Sequence, residues 1–392
     1  MDDNLKRLYI EPTSKCNLAC TMCFRNTWVG ESFADMDRET FDRAMATMPA
    51  GVETIFFGGM GEPLHHKDIL YMVAEASKRA GRVELLTNGT LLTPEMSKSL
   101  IEAGLGMLWV SIENFEADAY GQIRMGSSLK KITENISAFN RERYRFELAQ
   151  RDGSYGRSNE EVLKQMEEHR SVSLGMTFVA MKSNVHMLGG LSKFARTYNI
   201  NEVNISNVIP TDAASEAEGL YTRVVNFSLG DRKSNEGYPT VDLPYMDFNL
   251  PAVQDGLMGL LSTDNNLMIG GAPLERHKRY CRFVEEGCCF VKHDGQVTPC
   301  MALLHSQRTW LDGSSRTVYS HSFGSVKETG LADIWNGESY EDFRARVKAF
   351  SFSPCISCGG CDNRDTNEQD CIGNIAPTCG ACLWSEGIIA CP

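Results

Sequence analysis

Three cysteines near the start of the chain have a spacing that suits an iron–sulfur cluster. They are Cys16, Cys20 and Cys23, in the arrangement C-x-x-x-C-x-x-C. Three thiolates on one short loop can bind three irons of a cubane [4Fe–4S] cluster and leave the fourth iron without a protein ligand. Because the next cysteine is Cys281, the motif predicts a cluster with one iron open for chemistry. A zinc site or three unrelated buried thiols are the alternatives.

The other eleven cysteines lie in the last third of the 392-residue chain. They are Cys281, Cys288, Cys289, Cys300, Cys355, Cys358, Cys361, Cys371, Cys379, Cys382 and Cys391. Paired C-x-x-C spacings in a chain of this size indicate metal ligands rather than a disulfide scaffold. Two further cubanes with four thiolates each would leave three of the eleven cysteines unused. Structural zinc uses the same spacing and is the alternative.

The elements that position the first motif alternate between strands and helices. We predict strands over residues 5–11, 52–58, 82–87, 107–112, 173–180 and 202–208, and helices over residues 67–79, 94–103, 129–143 and 185–198, with Asp37 capping a further helix. This alternation predicts parallel β/α units and an α/β fold, a partial (β/α)6 barrel of the TIM type. In such barrels the functional site lies at the carboxyl ends of the strands.

Unusual residues follow four of the predicted strands. The cysteine loop follows the first strand, and the run from Gly58 to Glu62, G-G-M-G-E, follows the second. Asn88 follows the third, and Ser111 and Glu113 close the fourth. The carboxyl ends of parallel strands meet at one edge, so we expect these residues to converge. Two alternatives remain for four further residues, which either contact a ligand or serve as turn or cap residues: Asn184, Asn204, Ser206 and Asn207.

These motifs resemble those of the radical SAM enzymes. The resemblance implies that Cys16, Cys20 and Cys23 bind a [4Fe–4S] cluster whose open iron is chelated by S-adenosylmethionine (SAM). It implies a SAM-binding role for Met22, Gly58, Gly59, Met60, Gly61, Glu62, Asn88, Ser111 and Glu113. Met22 replaces the aromatic residue that the family has before its third cysteine, and a methionine can pack beside adenine. The family's Gly-Gly-Glu is lengthened here, with Glu62 as its acidic member or with the register shifted by one or two residues.

The cysteine-rich end resembles the SPASM extension of radical SAM proteins. The resemblance rests on Cys281, Gly295, Cys300, a predicted helix over residues 331–335 and the later cysteines. A β-hairpin is predicted over residues 293–300. The family pattern implies two auxiliary [4Fe–4S] clusters, the first of them bound by Cys281, Cys300, one of Cys288 and Cys289, and one later cysteine. The later run departs from the family spacing, so its members stay unassigned to either cluster.

Composition bounds the partners and the organisation of the chain. The net charge of −12 argues against a nucleic-acid partner, since phosphate binding relies on clustered Lys and Arg. The sequence contains no apolar run of about 18 residues that would predict a membrane span. The start of the chain lacks the apolar core of a signal peptide, so we expect a cytoplasmic protein. The predicted domains are a barrel over residues 1–210, a bridging, substrate-covering segment over 211–275 and the SPASM domain over 276–392.

The family resemblance also implies an activity. Radical SAM enzymes reductively cleave SAM to a 5′-deoxyadenosyl radical that abstracts hydrogen. The opening L-Y-I-E-P-T-S-K-C and the closing C-G-A-C-L-W resemble maturases of tungsten-containing aldehyde oxidoreductases. This implies a pterin-type cofactor as substrate, a tungsten oxidoreductase as partner and a ferredoxin- or flavodoxin-type reductant. Modification of a ribosomal peptide, and a non-catalytic electron carrier or zinc-binding module, are the alternatives.

Overall fold

A parallel sheet forms the first half of the molecule. The computed structural model describes residues 4–152, 171–221, 240–243, 250, 251, 254, 256, 266–269, 272, 273, 281–311, 313–356 and 361–392. The six predicted strands are confirmed, with ends within two residues of the expected ones. They are β1 (Arg7–Ile10), β2 (Thr54–Phe57), β3 (Arg82–Thr87), β4 (Met107–Ser111), β5 (Ser173–Ala180) and β6 (Glu202–Asn207). They pair in this order, all in parallel.

Helices cover the outer face of this sheet. They are α1 (Arg38–Ala46), α2 (Ile69–Ser77), α3 (Pro94–Glu102), α4 (Ala117–Ile123), α5 (Leu129–Asp152) and α6 (Leu191–Thr197), with short 3₁₀ turns at Phe24–Thr27, Pro63–His65 and Val185–Gly190. Local capping fixes where two of them begin. The Asp37 carboxylate accepts the amide of Thr40, and the Thr93 hydroxyl accepts the amide of Met96. The fold class predicted from the sequence, an α/β partial barrel, is confirmed.

The cysteine-rich end adds two strands to the same sheet. Strand β10 (Cys288–Val291) pairs in parallel with β1, and β11 (Val297–Thr298) closes the predicted hairpin against β10. The sheet therefore has eight strands in the order β11-β10-β1-β2-β3-β4-β5-β6. This pairing was not predicted from the sequence, and it makes the third segment of the chain part of the barrel wall.

The rest of the described chain forms small elements around this sheet. They are α7 (Ala213–Ala217), β7 (Thr240–Leu243), β8 (Asn266–Ile269), β9 (Ala272–Pro273), α8 (Arg282–Glu285), β12 (Gln307–Leu311), β13 (Ser314–Val318), α9 (Leu331–Trp335) and α10 (Glu338–Ala349), with 3₁₀ turns at Met301–Leu303 and Asp362–Arg364. The predicted helix over residues 331–335 is α9. Most of the predicted bridging segment, residues 211–275, and all of residues 153–170 lie outside the described residues. Within the described chain, every helix is too short or too polar to cross a membrane.

Two apolar layers hold the sheet in place. The larger one lies between the sheet and its helices, and includes Leu8, Phe57, Leu85 and Phe178, all fully buried. A smaller inner layer contains Tyr9, Phe56, Trp109 and Phe290 on the opposite face. Successive strand residues point to opposite faces, so β1 and β2 supply both layers. The inner layer leaves a cavity at the carboxyl end of the sheet.

Candidate functional site

A cavity of about 250 Å³ lies at the carboxyl ends of the parallel strands. The predicted site residues in its wall are Cys16, Cys20, Met22, Cys23, Gly59, Met60, Gly61, Glu62, Asn88, Ser111 and Glu113, together with Asn204, Ser206 and Asn207. The sequence predicted that the loops after β1, β2, β3 and β4 would converge, and residues from all four loops line this cavity. Gly58 and Asn184 do not line this cavity.

The first three cysteines form one side of the cavity. The amide of Cys23 donates to the carbonyl of Cys20 at 3.3 Å, and the amide of Leu18 donates to the Cys16 sulfur at 3.4 Å. Burial raises the pKa of Cys20 to about 11, Arg124 opposes the shift, and Glu113, Cys23 and Cys16 add to it. All three cysteines line the same cavity. Three sulfur donors facing one cavity fit a cubane cluster that takes three ligands from the protein.

Glu62 is buried at the cavity wall and is held by three donors. Its Oε1 accepts the hydroxyl of Thr87 at 2.6 Å and the amide of Leu64 at 3.1 Å, and its Oε2 accepts the amide of Asn88 at 2.7 Å. Burial raises the pKa of Glu62, although these hydrogen bonds oppose the shift. Glu62 thus ties the end of β2 to the end of β3. A carboxylate has about four acceptor positions, so one remains free for a ligand.

A side chain larger than hydrogen is excluded at each glycine of the G-G-M-G-E run, for a different steric reason at each position. A Cβ at Gly61 would overlap the carbonyl oxygen of Thr13 and lie 2.6 Å from that of Lys15, at the base of the cysteine loop. Gly59 has φ of +124°, and a Cβ there would lie 2.9 Å from Cγ of Glu11. A Cβ at Gly58 would overlap the ring of Phe56. The run therefore packs directly against the segment that carries the cysteines.

Glu113 is paired with an arginine that the sequence interpretation missed. Arg124 donates through Nε and Nη2 to the two carboxylate oxygens of Glu113, and both side chains are buried in the cavity wall. Burial opposes the charge on Arg124, but the Coulombic attraction and hydrogen bonds of Glu113 raise its pKa. Arg124 follows α4, where a basic residue is typical of a solvent-exposed face, so the sequence carried no signal for it.

Other predicted residues have defined partners. The hydroxyl of Thr177 on β5 donates to Ser111 Oγ at 3.0 Å, and Asn88 Nδ2 donates to the Cys16 sulfur at 3.8 Å. Asn184 is fully buried outside the cavity, where it donates to the carbonyl oxygens of Glu113 and Val179. Its role is that of a turn residue, which was one of the two predicted alternatives.

Residues 388–392 close one side of the cavity, which the sequence interpretation did not foresee. The amide of Ala390 donates to Ser206 Oγ at 3.0 Å, and Asn207 Nδ2 donates to the carbonyl of Ile388 at 2.8 Å. Tyr9 Oη donates to the carbonyl of Pro392 at 2.9 Å. These bonds place Ile389, Ala390, Cys391 and Pro392 in the cavity wall with Trp384.

The later cysteines fall into two groups with outliers. Cys300, Cys379 and Cys382 line one small cavity, and Cys281 and Cys300 pack against the same inner apolar layer. Burial, and then the charges of Cys382, Cys281 and Cys379, raise the pKa of Cys300. Burial also raises the pKa of Cys355, with contributions from Cys371 and Cys361 after an opposing one from Arg316. Cys358, which was predicted as a ligand with them, lies outside the described residues.

Three further cysteines have other surroundings. One of Cys288 and Cys289 was the expected companion of Cys281 and Cys300, and β10 carries these two residues into different layers. Cys289 is fully buried in the helix-side core, whereas Cys288 packs in the inner layer that Cys281 and Cys300 also contact. Cys391, also predicted as a metal ligand, lies in the wall of the cavity and accepts a hydrogen bond from Trp384 Nε1 at 3.2 Å. The first group also contains Cys379 and Cys382 from the later run, and which of these thiols bind a cluster stays a prediction.

Two family models match parts of this chain. Residues 10–149 match the radical SAM superfamily, and residues 281–362 match an iron–sulfur cluster-binding domain, SPASM. The first match contains Cys16, Cys20 and Cys23, and the second begins at Cys281.

Two relatives align along most of the chain. A tungsten-containing aldehyde ferredoxin oxidoreductase cofactor-modifying protein from Pyrococcus furiosus is 31% identical over 99% of this chain and 97% of its own length. An AdoMet-dependent heme synthase from Nitratidesulfovibrio vulgaris is 24% identical over 91% of this chain and 87% of its own length.

Solved structures share the fold at low sequence identity. Native anSMEcpe with bound AdoMet has a TM-score of 0.55 and 16% identity, covering 97% of this chain and 96% of that one. Streptococcus suis SuiB bound to S-adenosylmethionine has a TM-score of 0.54 and 14% identity, covering 91% of this chain and 71% of that one. These likenesses support the partial barrel with its cysteine-rich extension.

Proposed function

Because the chain belongs to the radical SAM enzymes that carry a SPASM domain, we propose that it modifies the tungstopterin cofactor of a tungsten-containing oxidoreductase. One observation carries this proposal. The relative that matches this chain along nearly the full length of both proteins is a tungsten oxidoreductase cofactor-modifying protein. The enzyme class, the [4Fe–4S] clusters and SAM follow from the family; the substrate is the proposed part.

The proposed catalytic centre is the loop with Cys16, Cys20 and Cys23. Cys16, Cys20 and Cys23 would hold a [4Fe–4S] cluster, which when bound would supply the electron for the reductive cleavage of SAM. The protein's task is to bind SAM beside the cluster, orient it and keep water away. A ferredoxin- or flavodoxin-type reductant is the proposed source of the electron.

The proposed SAM-binding wall uses the strand ends β2 to β4. The acceptor position that the three donors leave on Glu62 suits the methionine ammonium. Gly59, which packs against the Glu11 side chain, and Gly61, which packs against backbone, carry no side chains that would obstruct the ligand. Arg124 provides a positive charge, held in place by Glu113, that suits the methionine carboxylate. Met22, Gly58, Met60, Asn88 and Ser111 complete the proposed set.

The opposite wall suits a reaction that must stay dry. It contains the apolar side chains of Tyr9, Phe56, Met301, Trp384 and Ile389. An apolar wall excludes water and prevents a reactive radical from being quenched by solvent groups. Residues 388–392 contribute to this wall, so we propose that they contact the substrate as well as the barrel.

The proposed auxiliary clusters follow the two groups of thiols. Cys281, Cys300, Cys379 and Cys382 form a complete set of four for the first cluster, and Cys355, Cys361 and Cys371 with Cys358 form the set for the second. Cys288, Cys289 and Cys391 are then the three cysteines that no cluster requires. The proposed domains are the barrel, residues 1–210, completed by β10 and β11; a covering segment, 211–275; and the cluster domain, 276–392.

The substrate proposal is tested by coupling SAM cleavage to added substrate. The anaerobically reconstituted enzyme is given dithionite, SAM and, in separate reactions, the pterin cofactor of a tungsten oxidoreductase, the intact oxidoreductase, or a ribosomal precursor peptide. We expect 5′-deoxyadenosine to form faster with the cofactor or the oxidoreductase, with a mass change in the pterin. Stimulation by the peptide alone would favour peptide modification and overturn the proposal, as would no stimulation by either cofactor source.

A further inference from the structure

A buried cluster of two histidines and a glutamate lies behind the glycine run, outside the cavity. Glu11 follows β1, His293 lies in the turn between β10 and β11, and His305 follows the 3₁₀ turn at Met301–Leu303. All three residues are at most 5% exposed. Three segments far apart in sequence thus deliver titratable side chains to one point between the barrel and the cysteine-rich end.

The ligand atoms of these side chains converge. His293 Nδ1 lies 2.9 Å from Glu11 Oε2, and His305 Nε2 lies 2.9 Å from both carboxylate oxygens of Glu11. One ligand atom from each of the three residues can be chosen so that all lie within 4.8 Å of one another. Two imidazole nitrogens and one carboxylate oxygen are a donor set that zinc and non-haem ferrous iron take in proteins.

The surroundings of His305 have the form of an outer ligand shell. Its second nitrogen, Nδ1, lies 3.0 Å from Glu31 Oε2. Glu31 is fixed in turn by the ammonium group of Lys292 at 2.8 Å and the amide of Ser306 at 2.9 Å. The ring of Trp28 stacks on His305 with the centroids 3.9 Å apart. A carboxylate on the far nitrogen of a histidine orients the ring and sets its tautomer, as at known metal sites.

The local charge also favours a cation. Two carboxylates, those of the buried Glu11 and the partly exposed Glu31, lie close to one ammonium group, that of Lys292, which Asp294 also approaches to 3.5 Å. Glu11 is 2% exposed, and burying a carboxylate is costly unless a cation or hydrogen bonds compensate it. A bound divalent ion would compensate Glu11 directly.

We propose that Glu11, His293 and His305 bind a divalent first-row transition-metal ion through one carboxylate oxygen and two imidazole nitrogens, separate from the iron–sulfur clusters. The ion joins the strand that leads into the cysteine loop to the hairpin of the cysteine-rich end. Glu11 Oε1 also accepts the amide of Met60 at 3.3 Å. Glu11 would therefore contact both the ion and the glycine run. The proposal is independent of the substrate.

The test is a metal inventory of the reconstituted holoenzyme. Zinc, manganese, cobalt and nickel are measured by mass spectrometry after supplementation with zinc and removal of excess ion. Ferrous iron outside the clusters is measured by its high-spin Mössbauer signal. We expect about one such ion per chain in the wild type. X-ray absorption at the edge of a bound zinc ion should give nitrogen and oxygen neighbours only.

Variants locate the ion. His293→Ala and His305→Ala should each lose it while cluster iron is unchanged. The matched control His186→Ala removes an exposed histidine and should retain it. If a variant also loses cluster iron, the proposal is judged by the X-ray absorption spectrum of the wild type alone, which should show nitrogen and oxygen neighbours around the ion. A wild-type enzyme without a non-cluster ion, an ion with sulfur ligands, or equal retention in His305→Ala would overturn the proposal and leave a metal-free hydrogen-bonded cluster.

Discussion

The buried pair of Glu113 and Arg124 makes a prediction whose size follows from its geometry. Arg124 binds both carboxylate oxygens, and the side chains are 8% and 1% exposed for Arg124 and Glu113. Removing one partner of such a pair leaves an uncompensated buried charge, which costs about 3–5 kcal/mol of unfolding free energy. Replacing both partners by apolar residues of similar size removes that penalty and costs much less.

We therefore predict a strongly non-additive double-mutant cycle. Arg124→Met and Glu113→Leu should each destabilise by about 3–5 kcal/mol, and the double variant by at least about 2 kcal/mol less than their sum. The free energies come from anaerobic urea unfolding of the cluster-loaded enzyme, followed by far-UV circular dichroism. The exposed pair Lys98–Glu102 is the matched control, for which the coupling should stay under about 1 kcal/mol.

The same cycle addresses SAM binding. Arg124→Met should weaken SAM, because the proposed partner of the methionine carboxylate is gone, and the double variant should bind SAM no better than Arg124→Met. Titration calorimetry measures both affinities. Single substitutions that each cost under about 1 kcal/mol, or a coupling equal to that of the surface pair, would refute the buried ion pair.

Further predictions concern the glycine run, its acidic neighbour and one helix cap. Glu62→Gln places an amide NH₂ group against a donor such as the amide of Asn88. We expect the free energy of unfolding in urea to fall by about 1–3 kcal/mol and SAM to bind more weakly. An unchanged urea midpoint would contradict this. Gly61→Ala should be poorly folded because its Cβ overlaps backbone, whereas Gly189→Ala, with nothing within 4 Å, should melt like the wild type in a thermal scan. The hydrogen bond from a backbone amide, against slight burial, lowers the pKa of Asp37 below 3.8. Its contribution to stability is therefore present above pH 3.8 and lost as the pH falls through the lower folded-state pKa; in Asp37→Asn this part of the pH dependence should vanish from melting curves measured across that range.

The sequence was sufficient for the barrel and for much of the cavity wall. Strand ends such as Thr87 and Ala180 could be placed because buried β-branched and apolar runs stop where turn residues begin. Motif residues after each strand then converge by the geometry of a parallel sheet. Glu62 was identified on this basis, although its hydrogen bonds from Leu64 in the following 3₁₀ turn and from Thr87 and Asn88 at the end of β3 required coordinates.

The remaining features depend on contacts between distant segments. Nothing in the local pattern of residues 288–298 distinguishes a free hairpin from one that pairs with β1. Arg124 and His305 are residue types that usually lie on the surface, and their local sequence gives no sign of burial. They are buried here beside Glu113 and Glu11, which lie in distant parts of the chain. Cys289 shows the converse case, a predicted ligand that lies in an apolar core because its strand alternates between the two layers.

The central claim is that the loop with Cys16, Cys20 and Cys23 is the site of SAM cleavage. The most direct measurement is the yield of 5′-deoxyadenosine from SAM and dithionite, together with the iron content, for the wild type and the variant with all three cysteines changed to alanine. We predict product and about twelve irons per chain in the wild type, and no product with about eight irons in the variant. Equal product from both proteins, a cluster-loaded wild type without product, or zinc in place of iron would contradict the account.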